Sequence, residues 1–145
     1  MAFAHVNLYN FFYEIAGVAM KVQAKYRYGL LEAAYEAALK YLLEQRGHKV
    51  ERQVFVPIYW EDVKLDQSYR LDLLIDGGII VELKAIAHIS TEHRRQLWNY
   101  MNLTHLAYGM LINFSPDGLY SKWYVRNIET GRIDKIKFDE SVLLK

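Results

Sequence analysis

Apolar positions follow a helical spacing in the first third of the chain and a strand spacing after it. Residues 7–25 and 29–47 repeat apolar side chains every three to four positions, which predicts two helices, with Asn7 as the candidate N-cap of the first. Residues 49–60 alternate instead, which indicates a strand. The apolar side chains expected on one face of that strand are Val50, Val54, Val56, Ile58 and Trp60.

The rest of the chain predicts a hairpin, a helix, a single strand and a second hairpin. In that order they are residues 69–86, 90–105, 107–114 and 119–138. The resulting order, α-α-β-β-β-α-β-β-β, predicts an α/β fold with a central mixed β-sheet flanked by helices. Because no linker or repeat interrupts the 145 residues, we expect 1–145 to be a single domain.

Three charged residues, Asp72, Glu82 and Lys84, interrupt the otherwise apolar first hairpin. A two-residue turn would put the two acids on opposite faces, whereas a three-residue turn over 76–78, with a left-handed glycine, pairs 72 with 82. The sequence Asp-Gly-Gly favours the longer turn. Converging carboxylates repel, so one is driven toward protonation unless Lys84 or a divalent metal lies between them. On this stretch alone, solvated or paired charges explain the residues equally well.

Two helices carry further polar residues on faces expected to be buried. Glu32 falls between Leu39 and Leu43 inside the apolar arc of the second helix, and we expect Glu36 on the opposite face. An unpaired buried carboxylate costs several kcal/mol, so we expect Glu32 to have a partner. In the third helix, His93 and Gln96 lie on the inward side. A lone buried His or Gln is usually a satisfied core group, but five misplaced polar residues indicate a site: Glu32, Asp72, Glu82, Lys84 and Gln96.

Composition narrows the chemistry of such a site. The chain has no cysteine, which excludes disulfides, thiolate metal sites and a Cys nucleophile. A metal must therefore be held by oxygen or imidazole ligands, and oxygen ligands favour Mg, Mn or Ca. The formal charge of +1 gives no strong global field, so any basic binding surface is local. With no basic leader before the first apolar stretch, we expect a cytoplasmic protein.

Five short blocks occur in one order over about residues 10–115. They are Gly29-Leu-Leu-Glu32-Ala-Ala-Tyr35, Arg70-Leu-Asp72, Val81-Glu82-Leu83-Lys84-Ala85, His93-Arg-Arg-Gln96 with Tyr100, and Leu111-Ile-Asn113-Phe114. Together they resemble the GxxExxY proteins of the PD-(D/E)xK nuclease superfamily, near its RecB-like branch. The chain departs from that pattern at Leu71, where the superfamily has Pro, and at 26–28, where relatives often have a glycine-rich turn.

The resemblance implies a restriction-endonuclease-like fold and a metal-dependent phosphodiesterase site. By it, Mg²⁺ or Mn²⁺ would be held by side chains and one backbone carbonyl: Glu32, Asp72, Glu82 and Leu83. Lys84 would orient the attacking water or stabilise charge on the phosphate, and Gln96 and Tyr100 would line the site. Weaker expectations for substrate contact fall on Tyr35, His93, Arg94 and Arg95.

The sequence leaves more than one function open. The leading hypothesis is a nuclease acting on DNA, less readily on RNA. Basic side chains of the last hairpin, such as Lys122, would hold phosphates, and Trp98 and Trp123 would stack on unpaired bases. The alternatives are an inactive nuclease-fold module that binds nucleic acid or a protein partner, and a purely structural polar network. We also expect a possible homodimer through an apolar patch on the first helix: Phe3, Leu8, Phe11 and Phe12.

Overall fold

The fold is taken from a computed structural model that describes residues 9–137. The helices are α1 (Asn10–Tyr26), α2 (Glu32–Gln45) and α3 (Thr91–Thr104). The strands are β1 (Val50–Trp60), β2 (Val63–Ile75), β3 (Ile79–Lys84), β4 (Tyr108–Ser115), β5 (Gly118–Arg126) and β6 (Ile133–Ile136). The predicted order of elements is confirmed. The predicted cap Asn7 lies outside the described residues, and no helix within them is long and apolar enough to span a bilayer.

The six strands form one sheet in the order in which they occur along the chain. All neighbours are antiparallel except β3 and β4, which run parallel. A parallel pair needs a crossover connection, and α3 supplies it. The predicted mixed sheet is therefore confirmed, and the hairpin carrying the charged residues lies in its middle.

Helices α1 and α2 cover one face of the sheet, and α3 covers the other. The first face is filled with stacked aromatic rings: Phe12 lies on Trp123 at 5.2 Å and Tyr35 on Phe114 at 4.2 Å between centroids. Trp123 is fully buried, so the expectation that it stacks on bases is wrong. Phe12 is also fully buried and cannot form the exposed patch expected on the first helix, while Phe3 and Leu8 lie outside the described residues.

The turn between β2 and β3 has the predicted three-residue length. Ile75 pairs with Ile79 and Leu73 with Val81, so the register brings positions 72 and 82 opposite each other. Asp76 is left-handed (φ 53°) along with Gly77 (φ 68°), a conformation that Asp tolerates. Its carboxylate accepts a 3.0 Å bond from the N–H of Lys49 and contacts Nδ1 of His48 at 2.7 Å, which anchors the turn to the segment before β1.

Side chains change faces partway along β1 and β2. Leu71 packs under α3, whereas Leu73, two residues later, packs under α1 and α2. Val50 and Val54 differ in the same way, so the prediction that the apolar residues of β1 share one face is wrong. The switch occurs at Gln53, whose φ of 53° interrupts the alternation directly opposite position 72. A sequence pattern assumes regular strand dihedrals and does not contain this reversal.

Candidate active site

The two acids of the hairpin meet where the ladder between β2 and β3 ends. Beyond the Leu73–Val81 pair, side chains replace the backbone partners. The N–H of Asp72 donates to Oε1 of Glu82 at 3.1 Å, and the N–H of Leu83 donates to Oδ2 of Asp72 at 2.8 Å. Each carboxylate is thus fixed by the main chain of the opposite strand. The opening between the strands holds both acids at the base of a common site.

The electrostatics of this pair favour a bound cation. Glu82 is 2% exposed, and burial together with the negative charge of Asp72 raises its pKa to about 9. Burial also raises the pKa of Asp72, against the lowering effect of the Leu83 N–H. The positive charge of Lys84 lowers the pKa of both acids. However, Lys84 forms no ion pair within residues 9–137. The two acids therefore lack a direct positive partner.

The buried carboxylate of α2 is Glu36, and not Glu32 as the helical pattern suggested. Glu36 is 3% exposed, whereas Glu32 begins the helix in a half-buried position. Arg52 Nε donates to Glu36 at 2.7 Å and Gln53 Nε2 at 3.1 Å, and the charge of Glu36 raises the pKa of Asp72. Both partners of Glu36 lie on β1, where the side chains change from one face of the sheet to the other. At about 100° per residue, Glu36 lies only about 20° from the buried Leu43, so the expectation that placed it opposite the apolar arc was wrong.

Residues of α3 close the site from above. Gln96 Nε2 donates to the Tyr100 hydroxyl at 2.9 Å, and the Tyr100 ring lies 5.5 Å from that of Tyr69. Burial, and then the negative charge of Glu82, raise the pKa of Tyr100, which identifies Tyr100 as a neighbour of the acids. The structure therefore brings Gln96 and Tyr100 together with the hairpin acids. Tyr69 also lies at this site, next to Tyr100. No sequence pattern indicated this position, apart from the closeness of Tyr69 to Asp72 in the chain.

Two residues expected to contact substrate, Tyr35 and His93, have structural roles in the fold. Tyr35 is fully buried, and its hydroxyl donates to the Arg27 carbonyl and accepts from the Leu30 N–H at 3.2 Å, which holds the loop before α2. His93 completes a capping box with Ser90 at the start of α3, where its Nδ1 accepts from the Ser90 N–H at 2.9 Å. The full burial of Tyr35 corrects the expectation that it contacts substrate, whereas substrate contact by the half-buried His93 stays a prediction.

The two arginines of α3 point in different directions. Arg94 is half-buried and donates to the Tyr120 hydroxyl at 3.1 Å, on β5. Arg95 is exposed and paired with Glu92 at 2.9 Å on its own helix. Arg94 therefore lies over the sheet, and Arg95 faces solvent.

The donor set suits a hard divalent cation. In a strand, the N–H and C=O of one residue point to the same side, so the Leu83 carbonyl faces the side on which its N–H meets Asp72. Two carboxylates and a carbonyl are oxygen donors of the kind that Mg²⁺ and Mn²⁺ accept together with water. Within residues 9–137, no three His, Asp or Glu side chains come together as a metal cluster, so Glu32 does not join the pair here.

Comparison with known proteins agrees with the fold. No curated protein matches this chain. The crystal structure of SSO0001 is similar to this chain with 18% sequence identity and a TM-score of 0.48. The match covers 78% of this chain and 54% of that one, so this chain spans about half the length of that protein. Residues 9–126 match the family model described as the PD-(D/E)XK nuclease superfamily, and the sheet and flanking helices fit the restriction-endonuclease-like fold expected of it. The chain belongs to the PD-(D/E)XK nuclease superfamily.

Proposed function

We propose that the protein is a Mg²⁺- or Mn²⁺-dependent nuclease that hydrolyses phosphodiester bonds in nucleic acid, in DNA rather than RNA. The observation that carries the proposal is the convergence of the half-buried Asp72 and the buried Glu82 at the open end of the hairpin, without an ion pair within residues 9–137. Membership of a nuclease superfamily supports it. At finer scale we assign the chain to the GxxExxY proteins near the RecB-like branch.

Each site residue has a distinct role in this proposal. Asp72, Glu82 and the Leu83 carbonyl would hold the cation, which when bound supplies Lewis acidity and a more acidic water. Lys84, on the same face of β3 as Glu82, would neutralise charge that develops on the phosphate. The Gln96–Tyr100 pair would orient the substrate backbone above the acids.

The proposal also separates the two glutamates of α2. Glu36 is buried and its charge reaches Asp72, so Glu36 is the better candidate to hold water or a second oxygen ligand near the cation. Glu32→Gln and Glu36→Gln test this directly. We expect Glu36→Gln to lower cleavage and Glu32→Gln to leave it closer to wild type. The reverse result would restore the role that the sequence resemblance gave to Glu32.

The test of the activity is incubation with single- and double-stranded DNA and RNA in Mg²⁺ or Mn²⁺. Glu82→Gln and Lys84→Met should each abolish cleavage, because they remove a cation ligand and the neighbouring positive charge. Glu92→Gln is the matched control, since Glu92 is an exposed acid on α3. Cleavage that persists in both site variants would come from a contaminant and would reject the nuclease assignment.

A second candidate is an inactive nuclease-fold module that binds nucleic acid or a protein partner. The observation in its favour is that the described residues bring only two carboxylates together, short of a three-acid metal cluster. Titration calorimetry distinguishes the two functions. Binding of Mn²⁺ to the wild type and its loss in Glu82→Gln favour the enzyme, whereas no binding to the wild type favours the inactive module.

The homodimer and the cytoplasmic location remain predictions. The burial of Phe12 removes part of the apolar patch on which the homodimer prediction depended. Light scattering measures the oligomeric state, and a monomer at working concentration would reject the dimer.

A further inference from the structure

Two residues of β5 lie in register with the charged residues of β3. Lys84 pairs with Asn113 on β4, and Asn113 pairs with Tyr120 on β5. In the adjacent row, Glu82 is followed across the sheet by Leu111 and then Lys122. Directly paired residues point to the same face, so Tyr120 and Lys122 lie on the α3 face with the site. Two strand spacings amount to about 10 Å.

Arg94, Tyr120 and Lys122 form one cluster on this face, which we name the β5 platform. The Lys122 ammonium lies over the Tyr120 ring at 5.1 Å from its centroid. From above, Arg94 Nη2 donates to the hydroxyl of the same tyrosine at 3.1 Å. All three side chains are partly exposed, so the platform is both held in place and open to solvent.

The charge of the platform is not neutralised by the protein. Over residues 9–137, no acid lies within ion-pair distance of Arg94 or Lys122, whereas Arg95, the next residue on the same helix, is paired with Glu92. Lys84, two residues from Glu82 on β3, also forms no ion pair within residues 9–137. These positive side chains of β3, α3 and β5 thus lie on the same face as the acids, and no described acid is within ion-pair distance of them.

We propose that the β5 platform binds a phosphate of the nucleic-acid strand next to the phosphodiester that is cleaved. The inference rests on the proposed function and gives the direction in which the substrate lies, from the acids across β4 toward β5. At about 10 Å from Glu82, the platform is too far to touch the reacting phosphate and within reach of a neighbouring one. Arg94 and Lys122 would supply charge-assisted hydrogen bonds to its oxygens.

The test measures binding of labelled oligonucleotides by fluorescence anisotropy over a series of salt concentrations, with Ca²⁺ as the divalent ion. We expect Arg94→Gln and Lys122→Gln each to weaken binding. The double variant Arg94→Gln/Lys122→Gln should lower the slope of log affinity against log salt by about 0.7 to 0.9, the value of one lost phosphate contact, and each single variant should lower it by part of that amount. Lys122→Arg should retain the wild-type slope, because the charge is kept.

Lys25→Gln is the matched control. Lys25 lies over the ring of Tyr26 at 5.5 Å, so it reproduces the arrangement of Lys122 and Tyr120 on α1, on the other side of the sheet. A nonspecific field effect would change the slope equally in Lys25→Gln and Lys122→Gln, and that result would overturn the proposal. So would an unchanged slope in Lys122→Gln, or a wild type that binds no oligonucleotide.

The result separates this inference from the nuclease assignment. A wild type that cleaves nucleic acid, combined with an unchanged slope in both platform variants, would reject the platform and keep the nuclease. A wild type that cuts nothing, combined with the expected loss of slope, would keep the platform and reject the nuclease. Circular dichroism of each variant confirms that the fold is retained, and a merely structural role would leave the salt slope unchanged.

Discussion

The two faces of the sheet are built for different purposes. Under α1 and α2 the buried residues are apolar and aromatic, with Phe12 stacked on Trp123. Under α3 the apolar cluster is smaller and borders on Glu82 and Lys84. The first face contributes stability, whereas the second includes groups that repel one another. A chain of this size can hold such groups only because the other face is well packed.

Phe12→Ala should have the largest effect on stability, because it removes a ring from the core packed under α1 and α2. Removing a fully buried ring from a stack leaves a cavity, and we expect a loss of about 3–5 kcal/mol in the free energy of unfolding. Urea denaturation measures it. Phe55→Ala is the control, because Phe55 is 63% exposed on β1 and should change stability little. A small loss for Phe12→Ala would show that the stability does not reside on this face.

Glu82→Gln should act in the opposite direction on the other face. It removes a buried carboxyl group that must stay protonated beside Asp72, while leaving an oxygen to accept the Asp72 N–H. We expect the metal-free protein to gain about 1–4 kcal/mol at pH 7, because the unfolded wild type is favoured there by the ionisation of Glu82. Urea denaturation in a chelator measures the gain, with Glu92→Gln as the exposed control. A loss of stability would mean that the carboxylate contributes to folding.

The same glutamate should make the stability of the metal-free protein depend on pH. The folded state holds its proton up to a pKa of about 9, whereas the unfolded chain releases it near 4.5. Between these values the folded state binds the extra proton, so stability falls as pH rises, by up to about 1.4 kcal/mol per pH unit. Thermal unfolding from pH 5 to 9 measures this dependence.

Two controls define the origin of that slope. Glu82→Gln should unfold with a flatter pH dependence, because it has no proton to release. Excess Mn²⁺ should also flatten the slope, since a divalent cation favours the ionised carboxylate. A slope that survives the substitution would assign the pH dependence to other groups.

Gly109→Ala tests how tightly α3 is seated on the sheet. A Cβ at this position on β4 would lie 2.6 Å from Sδ of Met101 and 3.1 Å from Cδ1 of Leu97, both on α3. Displacing them should cost about 1–3 kcal/mol. Gly78→Ala is the control, because its nearest neighbour, the Asp76 carbonyl oxygen, is 4.0 Å away. Equal stability of the two variants, measured by urea denaturation, would indicate that α3 adjusts freely.

Tyr100→Phe should give the smallest change. It removes the acceptor of the Gln96 amide and should cost about 0.5–1.5 kcal/mol, the usual net value of one hydrogen bond. Tyr41→Phe is the control, since Tyr41 is 61% exposed on α2. The comparison uses thermal unfolding. An unchanged midpoint for Tyr100→Phe would mean that solvent replaces the lost partner and that this part of the α3 face is open.

The helices, the strands and the approach of Asp72 to Glu82 were predictable from the sequence, because each depends on residues that are close together in the chain. Helical spacing, strand alternation and the Asp-Gly-Gly turn each act within a few residues, and the turn alone brings Asp72 opposite Glu82. The pairing of Glu36 with Arg52 and Gln53 of β1 was not predictable in this way. It depends on Gln53, whose left-handed backbone turns part of β1 toward α2, and no local pattern specifies that conformation.

The main-chain role of Leu83 has a consequence for how this site can be recognised in other sequences. Leu83 meets Asp72 through its N–H alone, and its side chain is buried in the opposite core. Any apolar residue that packs there would present the same N–H and carbonyl. Leu83 can therefore be replaced by other apolar residues during evolution without loss of the chemistry. The residues that a sequence search can rely on at this site are two widely spaced acids and one lysine.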